Sequence, residues 1–277
     1  LTGQGCPGIY RSTMNEIGIV FSDQIKDLPI TPAQSWTLPR HSDWTYYSFP
    51  HYITPDSAVI LRYGLDDFPE FVLFRPSTGE FSELFKPGPI DRDVPFSVSR
   101  HTMVWAETRY DKRWGNQAFS VIMSYDFINQ HKNQLTHRSR YYAPALSPDG
   151  KTIAAVEFDI YNHCRLCLLD RQTGHLIQDF ENPDNLLLRT PCWSPDGKSI
   201  IYTITRRSAG TGLAQQFIDQ SSPVVLMPCS TLTISNPVAS NDYIFFSSGL
   251  SGIDNIYTYR LADGNVFQVT RRTLGAY

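Results

Sequence analysis

The segment Leu146–Val156, Leu-Ser-Pro-Asp-Gly-Lys-Thr-Ile-Ala-Ala-Val, decides the fold because the chain contains it twice. The second copy, Trp193–Tyr202, reads Trp-Ser-Pro-Asp-Gly-Lys-Ser-Ile-Ile-Tyr and begins 47 residues later. In both copies, proline presets the backbone of a tight turn, and aspartate and glycine suit the positions that follow. The apolar, β-branched residues after the turn suit a half-buried strand. Each copy therefore predicts a strand, a tight turn and a second strand.

The residues that follow the first copy complete a repeating unit of four strands. Cys164–Asp170 is typical of a third strand, 171–174 of a turn, and His175–Phe180 of a fourth strand. Weaker copies of the unit occur on both sides at spacings of 45, 48, 47 and 46 residues, with register marks Thr54, Ser99, Ser147, Ser194 and Ser240. A period in this range, with one four-stranded unit per period, is typical of a β-propeller.

The predicted fold class is therefore all-β, a β-propeller of four-stranded antiparallel blades with six or more blades expected and five visible. Residues 46–277 form the propeller, with blades at about 46–90, 91–137, 138–184, 185–231 and 232–270. The segment 271–277 repeats the lead-in at 137–143, so we expect it to start a further blade in a longer natural polypeptide. The alternative is that residues 1–45 complete a sixth blade, because a propeller works by closing its ring.

Residues 1–45 differ from the repeats and predict a short helix followed by a linker. Tyr10, Met14, Ile17 and Phe21 are spaced by four, three and four residues, which is the pattern of an amphipathic helix. The segment 28–40 contains three prolines and is expected to be extended.

Composition excludes several classes of function. The 277 residues carry a net charge of −3, which gives no general reason to expect binding to nucleic acid or to an anionic membrane. No apolar run is long enough to span a bilayer. The odd number of cysteines, five, is a poor basis for a disulfide framework. Cys164 and Cys167 lie three apart in a predicted strand and should point to opposite faces, which favours packing over a metal or redox pair.

A search for catalytic motifs gives no positive result. There is no Gly-x-Ser-x-Gly motif, no His-Glu-x-x-His zinc motif and no glycine-rich phosphate loop, and the seven histidines show no ligand-type pairing. We therefore predict a non-catalytic module with no cofactor and no metal, while a site assembled from distant units stays open. The segments 109–116 and 208–222 are predicted to be long loops, either binding partners or simply exposed to solvent.

One set of residues is predicted to converge although it is scattered in sequence. The segment that precedes each innermost strand should reach the same rim of the central channel, and these segments are rich in arginine, whose guanidinium group suits carboxylates and phosphates. The sequence thus predicts an anion-binding channel rim, or else arginines that only cover blade edges. The residues are Arg92, Arg138, Arg140, Tyr142, Arg189, Arg271 and Arg272.

Several motifs resemble a known family. The Ser-Pro-Asp-Gly-Lys turn, Leu-Leu-Asp-x-x-Thr-Gly at 168–174 and the closing Gln-Leu-Thr at 134–136 resemble the TolB-like, WD40-like repeats of bacterial periplasmic β-propellers. The resemblance implies a protein- or peptide-binding or scaffolding module in the periplasm or at the outer membrane or cell surface. Two alternatives stay open, a substrate-gating propeller of a peptidase whose catalytic domain lies elsewhere, and a glycan-binding module.

A shorter resemblance concerns the first residues. Leu-Thr-Gly at 1–3 and Tyr-Arg-x-Thr-Met-x-Glu at 10–16 are similar to the exit helix of a metallopeptidase-like domain that precedes such propellers in some Bacteroidetes-type proteins. The resemblance implies that a catalytic part, if present, lies outside this sequence.

Overall fold

Five sheets of four antiparallel strands make up the fold in the computed structural model. The structure describes residues 6–26, 30–32, 44–273 and 275. In every sheet the strands pair in chain order, so each blade is a simple up-and-down meander. The predicted all-β propeller with a short N-terminal helix is confirmed.

The strand bounds follow the repeat. Blade 1 contains β1 (Thr45–Thr54), β2 (Ser57–Gly64), β3 (Glu70–Arg75) and β4 (Glu80–Phe85). Blade 2 contains β5 (Ser97–Ser99), β6 (Thr102–Tyr110), β7 (Ala118–Asp126) and β8 (His131–Gln134). Blade 3 contains β9 (Tyr141–Leu146), β10 (Thr152–Phe158), β11 (Cys164–Asp170) and β12 (Leu176–Phe180). Blade 4 contains β13 (Leu187–Trp193), β14 (Ser199–Arg206), β15 (Gly210–Phe217) and β16 (Val224–Ser230). Blade 5 contains β17 (Ile234–Ala239), β18 (Tyr243–Ser248), β19 (Asn255–Arg260) and β20 (Val266–Gln268).

The two Ser-Pro-Asp-Gly turns join the first and second strands of blades 3 and 4. In blade 3 the amide of Gly150 donates to the carbonyl of Ser147 at 2.8 Å, and the amide of Ser147 donates to the carbonyl of Thr152 at 2.9 Å. The turn of blade 4 makes the same two bonds, each at 2.9 Å. The repeated sequence thus forms the hairpin that the sequence predicts.

Most of the core lies between neighbouring blades, in clusters that join blades 1 and 2, 2 and 3, 3 and 4, and 4 and 5, while a smaller cluster lies on one face of blade 1 alone. The interface of blades 1 and 2 is aromatic, with Phe71 at 5.0 Å from Phe96 and 5.5 Å from Trp105 between ring centres. The interface of blades 3 and 4 is mostly aliphatic. Fully burying one such large side chain contributes roughly 1.5–3 kcal/mol, so the packing between blades holds the ring order.

Every innermost strand has a proline in it or just before it. In β1, β9, β13 and β17 the residue before the proline has a left-handed backbone, and the pairing with the second strand is broken there by a bulge. The prolines are spaced by 45, 49, 47 and 46 residues and are Pro50, Pro95, Pro144, Pro191 and Pro237. Proline is tolerated at such edge positions because the innermost strand has one side without a partner strand.

The N-terminal part contains the predicted helix. Helix α1 runs from Cys6 to Ile25 and includes the predicted apolar positions, all of which are exposed. Of the predicted linker 28–40, only residues 30–32 are among the described residues. There Thr31 bonds with Arg271: the Thr31 amide donates to the Arg271 carbonyl at 3.0 Å, and the Arg271 amide donates to the Thr31 hydroxyl at 2.9 Å. The linker therefore touches the segment that follows blade 5.

The prediction of a long loop at 208–222 is wrong. Most of the segment 208–222 is strand β15, which pairs with β14 over eight consecutive positions from Ser199 opposite Phe217 to Arg206 opposite Gly210. The sequence Gly-Thr-Gly at its start has low strand propensity. Its conformation is imposed by pairing with β14 and β16, an effect that local composition does not reveal. By contrast, the segment 111–117 is a loop, as predicted.

Candidate functional site: the loop rim of the propeller

All loops between second and third strands lie at one end of the propeller, together with the connections that lead into the next blade. Because neighbouring strands are antiparallel, the end of the second strand, the start of the third and the start of the first share one edge. We call this end the loop rim. In the described residues it comprises the loops 65–69, 111–117, 159–163, 207–209 and 249–254, and the connections 86–96, 135–140, 181–186 and 231–233.

Two of the predicted arginines contact the rim loops of neighbouring blades. Arg138, in the connection from blade 2 to blade 3, forms an ion pair with Asp111 at 3.2 Å. Arg140 uses Nη1 to donate to the main-chain carbonyl of Asp159 in blade 3 at 3.1 Å. The connection thus spans the loops of both blades, and these two guanidinium groups have partners within the chain.

Arg92 and Tyr142 lie on the same rim in blades 1 to 3. The guanidinium carbon of Arg92 lies 5.1 Å from the ring centre of Tyr63, a cation–π contact. Tyr142, at the start of the third blade, packs edge-on against Phe158 with 5.4 Å between ring centres. Both side chains are therefore held by aromatic contacts.

The remaining predicted residues belong to blade 4 and to the segment after blade 5. Arg272 donates from Nη1 to the carbonyl of Thr31 at 3.1 Å. Arg189, in β13, and Arg271 are exposed, and their guanidinium groups have no hydrogen bond or ion pair among the described residues. The seven residues share one rim, but most of their side chains contact the chain itself. Their role in binding an anion stays a prediction.

A set of exposed apolar side chains is the most prominent feature of the loop rim. In blades 1, 2 and 3 the loop after the second strand presents a large aromatic residue to solvent: Phe68 is 82% exposed, Trp114 62% and Tyr161 75%. Side chains of this size are usually buried, and aromatic residues are enriched at protein interfaces. We call this set the aromatic rim; it consists of Trp44, Tyr46, Leu65, Phe68, Tyr110, Trp114, Ile160 and Tyr161.

Two of the loops that carry the aromatic rim, those of blades 2 and 3, are held in place by aspartates. Asp111, directly after β6, accepts hydrogen bonds from the amides of Arg113 and Trp114 at 2.8 and 3.0 Å, and these bonds hold the pKa of Asp111 below its usual range. Asp159, directly after β10, accepts bonds from the amides of Tyr161 and His163 at 2.7 and 2.8 Å. The same aspartate device, one blade apart, thus fixes two exposed aromatic residues.

A buried carboxylate lies below the rim between blades 1 and 2. Glu107 is 2% exposed and accepts hydrogen bonds from the indole of Trp105 at 2.8 Å and the amide of Gly88 at 3.0 Å. Its other oxygen lies 2.6 Å from a guanidinium nitrogen of Arg109. The cavity beside it, with Tyr142 at its edge, has a volume of about 30 Å³, room for about one water molecule. Glu107 is thus engaged by the fold and has no space for a substrate.

Cys164 and Cys167 are part of the packing. Cys164 lies in the core between blades 3 and 4, and Cys167 in the core between blades 2 and 3, so the predicted divergence of the two thiols is confirmed. Burial raises the pKa of both. Within the described residues, no group of three or more His, Cys, Asp or Glu side chains could hold a metal ion.

Sequence reasoning missed most of the aromatic rim. The sequence predicts a loop at 109–116 that could bind a partner, but it does not connect Phe68 and Tyr161 with that loop. The signal was present, because each of the three residues falls in the short segment after the second strand of its unit. Aligning the units at that position, rather than at the turns alone, would have found it.

Comparisons with solved structures show the same fold. A putative TolB from Agrobacterium tumefaciens is 15% identical, with a TM-score of 0.60 and 80% of each chain covered. TolB from Acinetobacter baumannii is 14% identical, with a TM-score of 0.55 over 81% of this chain and 56% of that one. A prolyl endopeptidase is 13% identical, with a TM-score of 0.53 over 92% of this chain and 38% of that one.

These similarities concern architecture. The structural similarity establishes a TolB-like propeller fold, and sequence identities this low leave the activity open. This chain spans little more than half of the Acinetobacter protein and well under half of the endopeptidase. No protein-family description and no curated protein sequence matches the chain. Within the described residues, no helix combines the length and apolarity that a bilayer span requires.

Proposed function

We propose that this chain is a non-catalytic protein-binding module of a bacterial envelope protein, and that it binds a protein partner through the aromatic rim. The observation that carries the proposal is the exposure of Phe68, Trp114 and Tyr161 at one end of three successive blades. Three aromatic side chains on neighbouring blades, two of them in loops anchored by aspartates, offer an apolar surface whose ordering on binding costs little entropy. Interfaces are dominated by a few such residues, with polar groups around them.

The setting of Trp114 supports this role. Arg113 lies over the indole at 5.2 Å, so the loop presents a cation and an aromatic ring together. Arginine, tryptophan and tyrosine are the residues most often found where truncation weakens a protein complex most. The Asp111 bonds hold the loop in the exposed conformation before a partner arrives, which reduces the entropy lost on binding.

The experiment is a binding measurement after the partner has been identified by crosslinking from a photoreactive residue placed at position 114. Phe68→Ala, Trp114→Ala and Tyr161→Ala should each weaken the purified complex by about tenfold or more. Ile128→Ala and Val238→Ala remove equally exposed apolar residues outside the aromatic rim and should leave the affinity unchanged. Equal effects of both sets, or none from the rim set, contradict the proposal.

A second candidate is a propeller that gates a peptidase whose catalytic domain lies outside this chain, which the likeness to a prolyl endopeptidase favours. In that case Trp114→Ala would change the size of peptide that the full-length protein cleaves. The glycan-binding alternative is tested by a glycan array on the same variants. Charge reversal at Arg189 and Arg271 tests the predicted anion-binding rim, and fractionation of cells tests the envelope location.

A further inference from the structure

A groove lies at the end of the propeller opposite the loop rim, between the two Ser-Pro-Asp-Gly turns of blades 3 and 4. Its volume is about 440 Å³, within the range of ligand pockets. Asp149 and Asp196 lie on its two sides, one from each turn, and Trp193, Ile177 and Ile218 supply apolar walls. We call it the turn groove.

The turn groove lies at a position where the repeat units differ. At the matching place between blades 2 and 3, the side chain of Arg100 lies 3.7 Å from the point where a Cβ on Gly150 would sit. Between blades 3 and 4 the corresponding pair is Pro148 and Gly197, again at 3.7 Å. Proline is much shorter than arginine, and its side chain carries no charge. A short, uncharged side chain therefore stands at the interface of blades 3 and 4 where a long cationic one stands at the interface of blades 2 and 3.

Both aspartates present a free oxygen. In each turn Oδ1 accepts bonds from the serine hydroxyl at 2.6 Å and from the lysine amide at 3.0 Å, whereas Oδ2 has no partner among the described residues. These bonds, first that of the serine, hold the pKa of Asp149 and of Asp196 below the usual range. Lys151 and Lys198, which follow the turns, and Arg100 of blade 2, near Asp149, also lower these pKa values through their charges, but none of them forms an ion pair with the two carboxylates in the described part of the chain. The groove therefore carries two fixed negative charges.

The apolar walls are fixed as well. The indole of Trp193 donates to the carbonyl of Ala145 at 2.9 Å, which sets the ring orientation. Ile177 is 58% exposed beside it. Two carboxylates above apolar walls suit a cation carried on an aliphatic chain.

We propose that the turn groove binds a peptide segment with a lysine or arginine between apolar residues. The charged end lies between Asp149 and Asp196, and the methylene chain packs along Trp193 and Ile218. This site is distinct from the aromatic rim, lies at the other end of the strands, and does not depend on the function proposed above.

The test uses N-acetylated, C-amidated Leu-Lys-Leu as the probe, with norleucine and glutamate versions as matched peptides. The lysine peptide should bind saturably with a Kd of about 1 mM or tighter, perturb the Trp193 indole signal in NMR spectra and weaken with added salt. The norleucine peptide should bind at least about tenfold more weakly, and the glutamate peptide should not bind. Absence of saturable binding, or equal binding of the three peptides, overturns the proposal.

Variants locate the site. The double variant Asp149→Asn with Asp196→Asn keeps the turn geometry and should weaken binding by about tenfold or more. Pro148→Arg should block binding, because it places in the groove an arginine like the one at position 100 of blade 2. Asp56→Asn alters the corresponding turn of blade 1, where Ser77 binds the carboxylate, and should leave the Kd unchanged. Circular dichroism confirms folding of each variant. Unchanged affinity in the double variant or in Pro148→Arg contradicts the assignment.

Discussion

Gly174 and Gly197 offer a matched pair for testing how the blades are packed. Both have a backbone φ of 70°, in the left-handed region, and both lie in turns at the end of the propeller opposite the loop rim. A Cβ on Gly197 would have Pro148 Cδ as its nearest neighbour, at 3.7 Å. A Cβ on Gly174 would lie 2.2 Å from the carbonyl oxygen of Leu135, the residue directly after the short strand β8 of blade 2.

The two alanine substitutions share one cost and differ in another. Placing alanine in the left-handed region costs about 1–2 kcal/mol at either position. Alanine at Gly174 must in addition displace the main chain of Leu135, whose amide donates to the Ile122 carbonyl at 2.9 Å. Overpacking of this kind adds about 1–3 kcal/mol. We therefore expect Gly174→Ala to lower the free energy of unfolding by about 2 kcal/mol more than Gly197→Ala.

Thermal denaturation followed by circular dichroism measures the difference. In a chain of this size 1 kcal/mol corresponds to roughly 2–4 °C, so Gly174→Ala should melt about 4–8 °C below Gly197→Ala. Equal melting temperatures would show that the contact between the Thr-Gly turn of blade 3 and the connection after blade 2 is not maintained in solution. The reasoning about blade packing would then be refuted.

Three further predictions concern titration, reactivity and ion pairs. Burial lowers the pKa of His51 from 6.5 to about 4, so between these pH values the unfolded chain binds more protons than the folded chain. The free energy of unfolding, measured from urea midpoints, should therefore fall by up to about 3 kcal/mol as the pH drops from 6.5 to 4. His51→Gln should remove that decrease. Thiol titration should modify the exposed Cys6 at once, but the buried Cys167 only after denaturation; rapid modification of both would contradict the packing. Glu107→Ala leaves buried donors unpaired and should lower the free energy of unfolding by about 3 kcal/mol or more. Asp184→Ala breaks an exposed ion pair and should lower it by less than about 1 kcal/mol. Urea denaturation measures both changes.

The fold could be predicted because its information is local and repeated. The register marks Thr54, Ser99, Ser147, Ser194 and Ser240 all fall at the end of an innermost strand or directly after it. A turn that recurs with one period fixes the blade frame even where a unit has lost its proline and glycine. Strand β15 was missed because its start is held by neighbouring strands rather than by its own residues.

The surfaces of interest were harder to predict because they depend on contacts between units. The repeat frame predicts arginines on one rim, but it could not show that Arg138 reaches Asp111 or that Arg140 reaches the Asp159 carbonyl. The turn groove is lined by residues of blades 3 and 4, among them Pro148 at the position that Arg100 holds in the previous unit, and it forms only where these two blades lie side by side. Neither feature has a signature within one repeat.

The evenly spaced prolines of the innermost strands determine how the central channel can be used. Peptides commonly bind a protein by adding a strand to an exposed sheet edge and forming main-chain hydrogen bonds with it. At Pro144 and Pro191 that edge has no amide hydrogen to offer, and the bulges at Ala143 and Thr190 turn the neighbouring groups out of line. The channel is therefore protected against β-strand addition, and a segment that enters it has to be recognised by side chains.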